Sequence, residues 1–146
     1  MLTPNYSNVL PSDVSTNTNL SGNINLQIPL LSSAMDTVTE SKMAISIAKA
    51  GGLGIIHRNL DIKKQIIEIK KVISKKLPVG AAVGAGSAEF KRAQALLKQN
   101  ITMIVVDTAH GHTKKVAEII KKIKKIKSKN TACLLYTSPS PRDRVL

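Results

Sequence analysis

Residues suited to ligand binding follow four short apolar runs in this sequence. Each candidate stands directly after a run or in the loop behind it, and the set is Ser33, Met35 and Asp36; His57, Arg58 and Asn59; Gly84 and Gly86; Asp107, Thr108, His110 and His112. If the runs are parallel strands, these groups share one edge, because parallel α/β folds bind ligands beyond the carboxyl ends of their strands.

Asp107 is the most informative of these residues, because four apolar residues, 103–106, precede it. Its carboxylate would emerge from a dry strand, where it could accept hydrogen bonds from the hydroxyls of a ribose or from a carboxamide. The same carboxylate could instead cap the local turn. The residues alone leave both interpretations open.

The histidines suggest a metal site, since neighbouring imidazoles bind zinc or iron. His110 and His112 form a His-x-His pair, and His57 follows another apolar run. The sequence offers no companion set of carboxylate and histidine ligands, so we predict no metal. Gly84-x-Gly86 lacks the third glycine of a dinucleotide-binding fingerprint and is interpreted as a tight loop.

Residues 28–59 predict one strand, helix and strand unit. Residues 28–31 form an apolar run expected to be covered on both faces, and Leu53–Ile56 forms the next buried strand. Residues 37–40 fit a capping box, in which the Thr37 hydroxyl and the Glu40 carboxylate would satisfy two helix amides. Gly51-Gly52 would end this helix. Its predicted buried face is Met43, Ala44, Ile47 and Ala48.

Apolar runs begin near residues 29, 53, 79 and 103, so the unit recurs about every 25 residues. A repeating strand and helix indicate the α/β class with a parallel sheet. Four units are half of a (β/α)8 barrel, which takes roughly 250 residues. Periodicity alone does not separate a partial barrel from a doubly wound sheet.

Three further helices are predicted from apolar stripes at helical spacing. Asp61 and Ser87 are the expected N-caps of the first two. The stripes are Ile62, Ile66, Ile69 and Ile73; Phe90, Ala93 and Leu97; and Val116, Ile119, Ile120, Ile123 and Ile126. Residues 1–27 are rich in Asn, Ser and Thr and predict an irregular segment with a short hairpin at Gly22-Asn23.

Composition limits the class of protein. The 146 residues, 42% of them hydrophobic, suit one domain or part of one. The net charge of +13 invites a nucleic-acid partner, but the lysines concentrate at 63–76 and 114–129, opposite the isoleucines, and three aromatic residues offer little base stacking. We therefore predict no specific nucleic acid and no membrane partner. A single cysteine excludes an internal disulfide and favours the cytoplasm.

Four sequence blocks resemble the inosine 5′-monophosphate (IMP) dehydrogenase and guanosine 5′-monophosphate (GMP) reductase family. The blocks LLSSAMDTVTE, GGLGIIHRN, VGAAVGAG and VVDTAHGH stand in family order, and the similarity runs from about residue 2 to about 132. The residues of these blocks resemble the dehydrogenase more closely than the reductase. The resemblance implies a partial (β/α)8 TIM barrel of about four βα units, with residues 1–132 as the amino-terminal half of the catalytic domain.

The resemblance also implies roles for four residues. Asp107, with Thr108, matches the nicotinamide side of the NAD site, and Ser33 and Met35 match positions that line the IMP pocket, the serine near phosphate or ribose and the methionine under the base. The family reaction oxidises IMP to xanthosine 5′-monophosphate in guanine nucleotide synthesis. A full-length enzyme of this kind would use potassium and form a homotetramer. A GMP reductase fragment, or a non-catalytic nucleotide-binding or assembly module, is the alternative.

The sequence departs from the family pattern in two places. Relatives commonly carry a pair of regulatory cystathionine-synthase-type (CBS) domains between the second helix and the third strand, whereas here Lys76 is followed almost at once by Pro78-Val79. Residues 133–146, CLLYTSPSPRDRVL, replace the expected fifth strand, resemble translated cloning sequence and are left out of the predicted fold.

The family's nucleophile is a cysteine in a Gly-Ser-x-Cys-type loop, which Cys133 does not match. We therefore assign no catalytic residue to this chain. We expect the fragment to be inactive alone.

Overall fold

Five of the strands form one parallel sheet whose spatial order is the order of the chain. The computed structural model describes residues 6–22 and 24–137. Within them the large sheet has the order β3, β4, β5, β6, β7, and a separate antiparallel pair joins β1 to β2. A helix follows each of the first four strands of the large sheet.

The bounds of the elements agree closely with the predicted repeat. The strands are β1 (Thr18–Ser21), β2 (Ile24–Leu26), β3 (Leu31–Ser32), β4 (Leu53–Ile56), β5 (Val79–Val83), β6 (Met103–Thr108) and β7 (Ala132–Thr137). The helices are α1 (Ser41–Lys49), α2 (Ile62–Ile73), α3 (Ser87–Leu97) and α4 (Lys114–Ile126), and a single 3-10 turn spans Pro11–Asp13.

Strand order distinguishes the two candidate architectures. A doubly wound sheet reverses direction at a switch point, so that consecutive strands lie on both sides of the first one. Here every new strand adds to the same edge, and all four pairings in the large sheet are parallel. The sheet curls into half a barrel, which confirms the predicted partial TIM barrel.

Two apolar clusters cover the two faces of the large sheet. The helices pack on one face around Ile56, Val83 and Ile104, which are inaccessible to solvent. On the other face Leu53, Ile55, Met103 and Val105 pack with Ile24 and Leu26 of β2. The predicted amino-terminal hairpin is therefore confirmed, and it covers the inner face of the half-barrel. Asn23 lies outside the described residues.

Strand β3 is shorter and more exposed than predicted. The expected strand at residues 28–31 is reduced to Leu31–Ser32, and Leu30 is 55% exposed. Within the described chain β3 pairs only with β4. Leu31 is also 36% exposed, so the prediction that this run is covered on both faces is wrong.

The predicted capping box at residues 37–40 is also wrong. Helix α1 begins at Ser41, and Thr37 lies in a turn before it with φ +62°. The amide of Ser41 instead donates to Glu68 Oε2 of α2 at 2.9 Å. On the buried face Ala44 and Ala48 are covered as predicted, whereas Met43 is exposed. Gly51, with φ +94°, follows the last turn, which confirms the predicted glycine end of this helix.

Glu68 therefore caps a helix that is distant in sequence, and this has a pH dependence. Burial raises the pKa of Glu68, but hydrogen bonds from Lys71 and Ser41 outweigh that effect and hold the pKa below its ordinary value. A carboxylate with a lowered pKa stabilises the fold above its unfolded pKa, about 4.3, and loses that contribution as the pH falls through its folded value.

We expect Glu68→Gln to lower the unfolding free energy of the full-length protein by about 1 kcal/mol at pH 7, because the amide oxygen of Gln can still accept from Ser41 but lacks the charge that strengthens the bonds from Ser41 and Lys71. The difference should be smaller at pH 3, because protonation of the wild-type carboxylate as the pH falls through its lowered pKa removes the same charge. Thermal unfolding at both pH values measures this, and Glu118→Gln, at an exposed glutamate of α4, controls for the lost charge. An equal loss at both pH values would contradict the assignment.

Of the other two predicted caps, Asp61 occupies the right place without the predicted bond, and Ser87 is displaced by one residue. Asp61 is the N-cap residue of α2, but its carboxylate makes no capping hydrogen bond within the described chain. Helix α3 is preceded by Gly86, with φ +124°, and Ser87 is its first residue. The prediction of Ser87 as the cap is therefore wrong by one position.

Two predicted element boundaries in the last part of the described chain differ from those in the structure. Asp107 and Thr108 belong to β6, whereas the sequence placed them in the following loop. Strand β7 spans Ala132–Thr137 and pairs with β6 over its whole length, so leaving residues 133–137 out of the fold was wrong. The non-native origin of 133–146 stays a prediction, and residues 138–146 lie outside the described residues.

Candidate functional site

The carboxyl ends of four adjacent strands carry the predicted site residues at one rim of the half-barrel. Ser33 follows β3, His57 follows β4, Gly84 follows β5, and Asp107 lies near the end of β6. The register pairs Val83 with Val106, so Gly84 and Asp107 leave their strands side by side. Parallel pairing thus places residues separated by up to 74 positions at one edge of the sheet.

Arg58 connects three of these strand ends. Its Nε lies 3.9 Å from Asp107 Oδ2, and the two side chains are 42% and 22% exposed. The guanidinium also covers Gly84, where an added Cβ would lie 3.1 Å from Arg58 Nη1. Asp107 therefore reaches the rim as a partly exposed carboxylate beside a cation, available to hydroxyl or amide donors.

Thr108 has a different environment from Asp107. Its hydroxyl donates to the carbonyl of His110 at 3.1 Å and lies 3.2 Å from the amide of His110, from which it accepts. These bonds fix the start of the loop after β6. A contact between Thr108 and a cofactor stays a prediction, and the observed hydroxyl shapes the loop.

A buried polar network, which the sequence did not predict, supports the rim at the end of β5. Gln65 is inaccessible and donates to the carbonyl of Ala82 at 2.9 Å, while its Oε1 accepts from Arg92 Nη1 at 2.9 Å. Arg92 Nε faces Glu89 Oε2 at 3.4 Å, and that carboxylate accepts the amide of Gly84 at 2.7 Å. Helices α2 and α3 thereby hold the loop under Arg58.

The signal for this network was a polar residue on an apolar stripe. Gln65 occupies the buried face of α2 together with Ile69 and Val72. A glutamine four residues before a buried isoleucine lies on the same helix face and needs partners there. Its partner on α3, Arg92, is 27 positions away in sequence, so spacing alone did not identify it.

Ser33 and Met35 lie on an ordered turn rather than in a strand. The carbonyl of Ser33 accepts the Thr39 hydroxyl at 2.6 Å, and the carbonyl of Met35 accepts the amides of Val38 and Thr39, both at 3.2 Å. Both side chains are exposed, Met35 by 59%. They are accessible at the rim, while the backbone beneath them is fixed.

His57 is buried behind this turn and is 1% exposed. Its Nδ1 accepts the amide of Asn59 at 3.2 Å. Among the described residues, no group of three or more His, Cys, Asp and Glu side chains is arranged to hold a metal ion.

Cys133 lies far from the rim. It is the second residue of β7, near the amino end of the strand, whereas the rim is at the carboxyl end. Burial raises the pKa of its thiol, and the nearby Lys124 and Lys127 offset this only in part. At neutral pH the thiol form predominates, which is the unreactive form.

The fold and the site together define half of a (β/α)-barrel whose candidate ligand-binding residues lie at the carboxyl ends of its strands. A sequence profile described as the IMP dehydrogenase / GMP reductase domain matches residues 1–134. The chain therefore belongs to the IMP dehydrogenase / GMP reductase family.

Curated relatives in this family carry the name inosine-5′-monophosphate dehydrogenase. The protein of Borreliella burgdorferi is 39% identical over 173 positions, covering 84% of this chain and 43% of that relative. The protein of Cryptosporidium parvum is 39% identical over 172 positions, covering 88% and 42%. That of Aquifex aeolicus is 57% identical over 72 residues, covering 49% and 15%. The chain thus spans less than half the length of these relatives.

The first two alignments are longer than the chain itself, so each of those relatives carries residues without a counterpart here. In this chain, α2 ends at Ile73 and β5 begins at Val79. Five residues make that connection, which leaves no room for an inserted domain at this position.

Among the described residues, none of the helices combines the length and the apolar character that a membrane span requires.

Proposed function

We propose that this chain is the amino-terminal half of the catalytic barrel of an NAD-dependent IMP dehydrogenase. The observation that carries the proposal is the convergence of all four family blocks, each at a strand end, on one rim. In that reaction IMP is oxidised to xanthosine 5′-monophosphate, as part of guanine nucleotide synthesis. NAD, when bound, would accept the hydride, and the residues of this chain would bind and orient the two partners.

The residues present fit a dinucleotide at this rim. Asp107 offers a partly exposed carboxylate, and nicotinamide nucleotides present carboxamide and ribose hydroxyl donors. Thr108 would support Asp107 through the loop that its hydroxyl fixes. The guanidinium of Arg58 places a positive charge beside the Asp107 carboxylate, with Nε 3.9 Å from Oδ2.

Ser33 and Met35 would form the adjoining nucleotide site. A serine hydroxyl can donate to a phosphate or bond a ribose hydroxyl, and the flexible thioether of methionine packs against flat rings. Both side chains are exposed on a backbone turn held by Thr39. This arrangement supports a purine nucleotide lying across the ends of β3 and β4.

The remaining parts of the proposal follow from the family and from the composition of the chain. The full-length protein would use potassium, act as a homotetramer and work in the cytoplasm, without a specific nucleic-acid or membrane partner. The cation site and the cysteine nucleophile would lie outside this chain.

An assay of the full-length protein tests the proposal. NADH formation from IMP and NAD supports it, whereas NADPH-dependent deamination of GMP would identify the reductase instead. Neither activity would favour a non-catalytic nucleotide-binding or assembly module. Sequencing the gene beyond codon 132 gives an independent check, since a native stop codon there would contradict the proposal.

Ser33→Ala in the full-length protein should weaken IMP binding by roughly 1 to 3 kcal/mol, because a buried phosphate or hydroxyl of the nucleotide would lose its partner. The Michaelis constant for NAD should change little. Calorimetric titration with IMP measures the effect. Ser74→Ala, at an exposed serine following α2, is the matched control, and equal affinities of both variants would remove Ser33 from the site.

A further inference from the structure

The turn that carries Met35 is held at both ends but strained in its middle. Thr39 is buried, and it ties the turn to the carbonyl of Ser33 through its hydroxyl. Between these anchors Thr37 has φ +62°, a left-handed conformation that is unfavourable for a β-branched residue. Its amide donates to Asp36 Oδ1 at 2.9 Å. Strained conformations of this kind concentrate at ligand sites and switch segments.

A buried hydrogen-bond donor faces this turn from β4. Because His57 Nδ1 accepts the amide of Asn59, the neutral ring carries its proton on Nε2. Nε2 is buried and has no hydrogen-bond partner among the described residues. It lies 3.8 Å from Asp36 Oδ1 and 3.6 Å from Glu40 Oε1. Both oxygens are just beyond hydrogen-bond reach.

A movement of less than about 1 Å would bring the Asp36 carboxylate into hydrogen-bond distance. That movement would satisfy a buried donor, which is costly to leave unpaired. Asp36 directly follows Met35, so the position of its carboxylate sets the position of the methionine. Glu40 is the N-cap residue of α1, and its carboxylate can turn about its own side-chain bonds without moving the turn.

We propose that His57 is a positioning residue: the turn at residues 36–39 closes onto its Nε2–H, through Asp36, when a nucleotide occupies the rim. Closure fixes Met35 and Ser33 against the ligand. His57 itself stays buried and touches no reacting atom. This inference rests on the proposed function, since the nucleotide is the one assigned to Ser33 and Met35.

A double-mutant cycle on the full-length protein tests the inference, with the dissociation constant of IMP as the measured quantity. His57→Ala and Asp36→Ala should each weaken IMP binding about tenfold, as expected for loss of one charge-assisted hydrogen bond. The double variant should be no weaker than the worse single variant, because both remove the same contact. His57→Gln, which keeps an N–H donor, and Asp36→Asn, which keeps an acceptor oxygen, should recover most of the affinity.

Two readouts separate positioning from general damage to the fold. The Michaelis constant for IMP should rise while that for NAD stays unchanged, whereas a collapsed barrel would alter both. Glu40→Ala is the matched control, since it removes the nearer carboxylate, and it should leave IMP affinity unchanged in the wild-type and His57→Ala backgrounds.

Additive effects of His57→Ala and Asp36→Ala would overturn the inference, and so would coupling of His57 to Glu40 alone. If either result is obtained while the wild-type protein binds IMP and turns it over normally, the proposed function stands. Failure of the wild-type protein to bind IMP would reject the proposed function and this inference together.

Discussion

Asp107→Ala in the full-length protein is expected to slow hydride transfer on the order of 100-fold, with IMP binding unchanged. A positioned reactant that shifts by about 1 Å can lose a factor of that size. Asp107 is suited to such positioning because it lies near the end of a strand paired on both sides, with Arg58 next to its carboxylate. Single-turnover measurement of NADH formation, with NAD at saturation, isolates this step.

Asp107→Asn provides the matched comparison. It preserves an acceptor oxygen and the shape of the side chain but removes the charge that faces Arg58. We expect it to retain more activity than Asp107→Ala. If Asp107→Ala leaves both turnover and the NAD Michaelis constant unchanged, the cofactor role fails, and Asp107 is a strand-end residue paired with Arg58.

The strands could be predicted because their signal is local. Buried parallel strands appear as short apolar runs: Leu53–Ile56 was identified with its observed bounds, and the run expected to begin near residue 79 is the observed Val79–Val83. The order of the strands required more than periodicity, and the family resemblance supplied it. The coverage of β3 was misjudged because apolar content does not report whether neighbouring elements pack over a run, and Leu30 and Leu31 are exposed.

The helix starts were predicted less well, because their partners are distant in sequence. The amide of Ser41 is satisfied by Glu68, 27 positions away, so the apparent box at residues 37–40 was not used. The turn at 37–40 instead serves the rim, where Thr39 bonds the carbonyl of Ser33. A local capping motif was thus overridden by a tertiary contact.

In the candidate site, too, the local features were predicted and the contacts between distant residues were not. Asp107 and Ser33 could be placed at the rim from their positions after apolar runs. The contacts around them, namely Arg58 with Asp107 and Gln65 with Arg92, join different strands and helices. Such pairs depend on the curvature and register of the sheet, which one sequence without relatives does not specify.

The 146-residue chain alone is expected to give no detectable NADH from IMP and NAD, and to aggregate or remain partly unfolded. In the described residues β3 pairs only with β4, and β7 only with β6, so both edges of the sheet present free backbone groups. Leu135 and Tyr136 of β7 are also 41% and 47% exposed. Open edges with apolar side chains favour association with other chains.

The chain alone is expected to be inactive for a second, independent reason, which is the position of its cysteine. The family reaction requires a cysteine nucleophile, and Cys133, the one cysteine of the chain, lies near the amino end of β7 with a raised pKa. Size-exclusion chromatography of the purified chain tests its folding, and absorbance of NADH with IMP and NAD tests its activity. The full-length protein, assayed in parallel, is the control. NAD reduction by the purified chain would contradict this prediction. The half-barrel would then contain a working nucleophile, although Cys133 lies away from the rim.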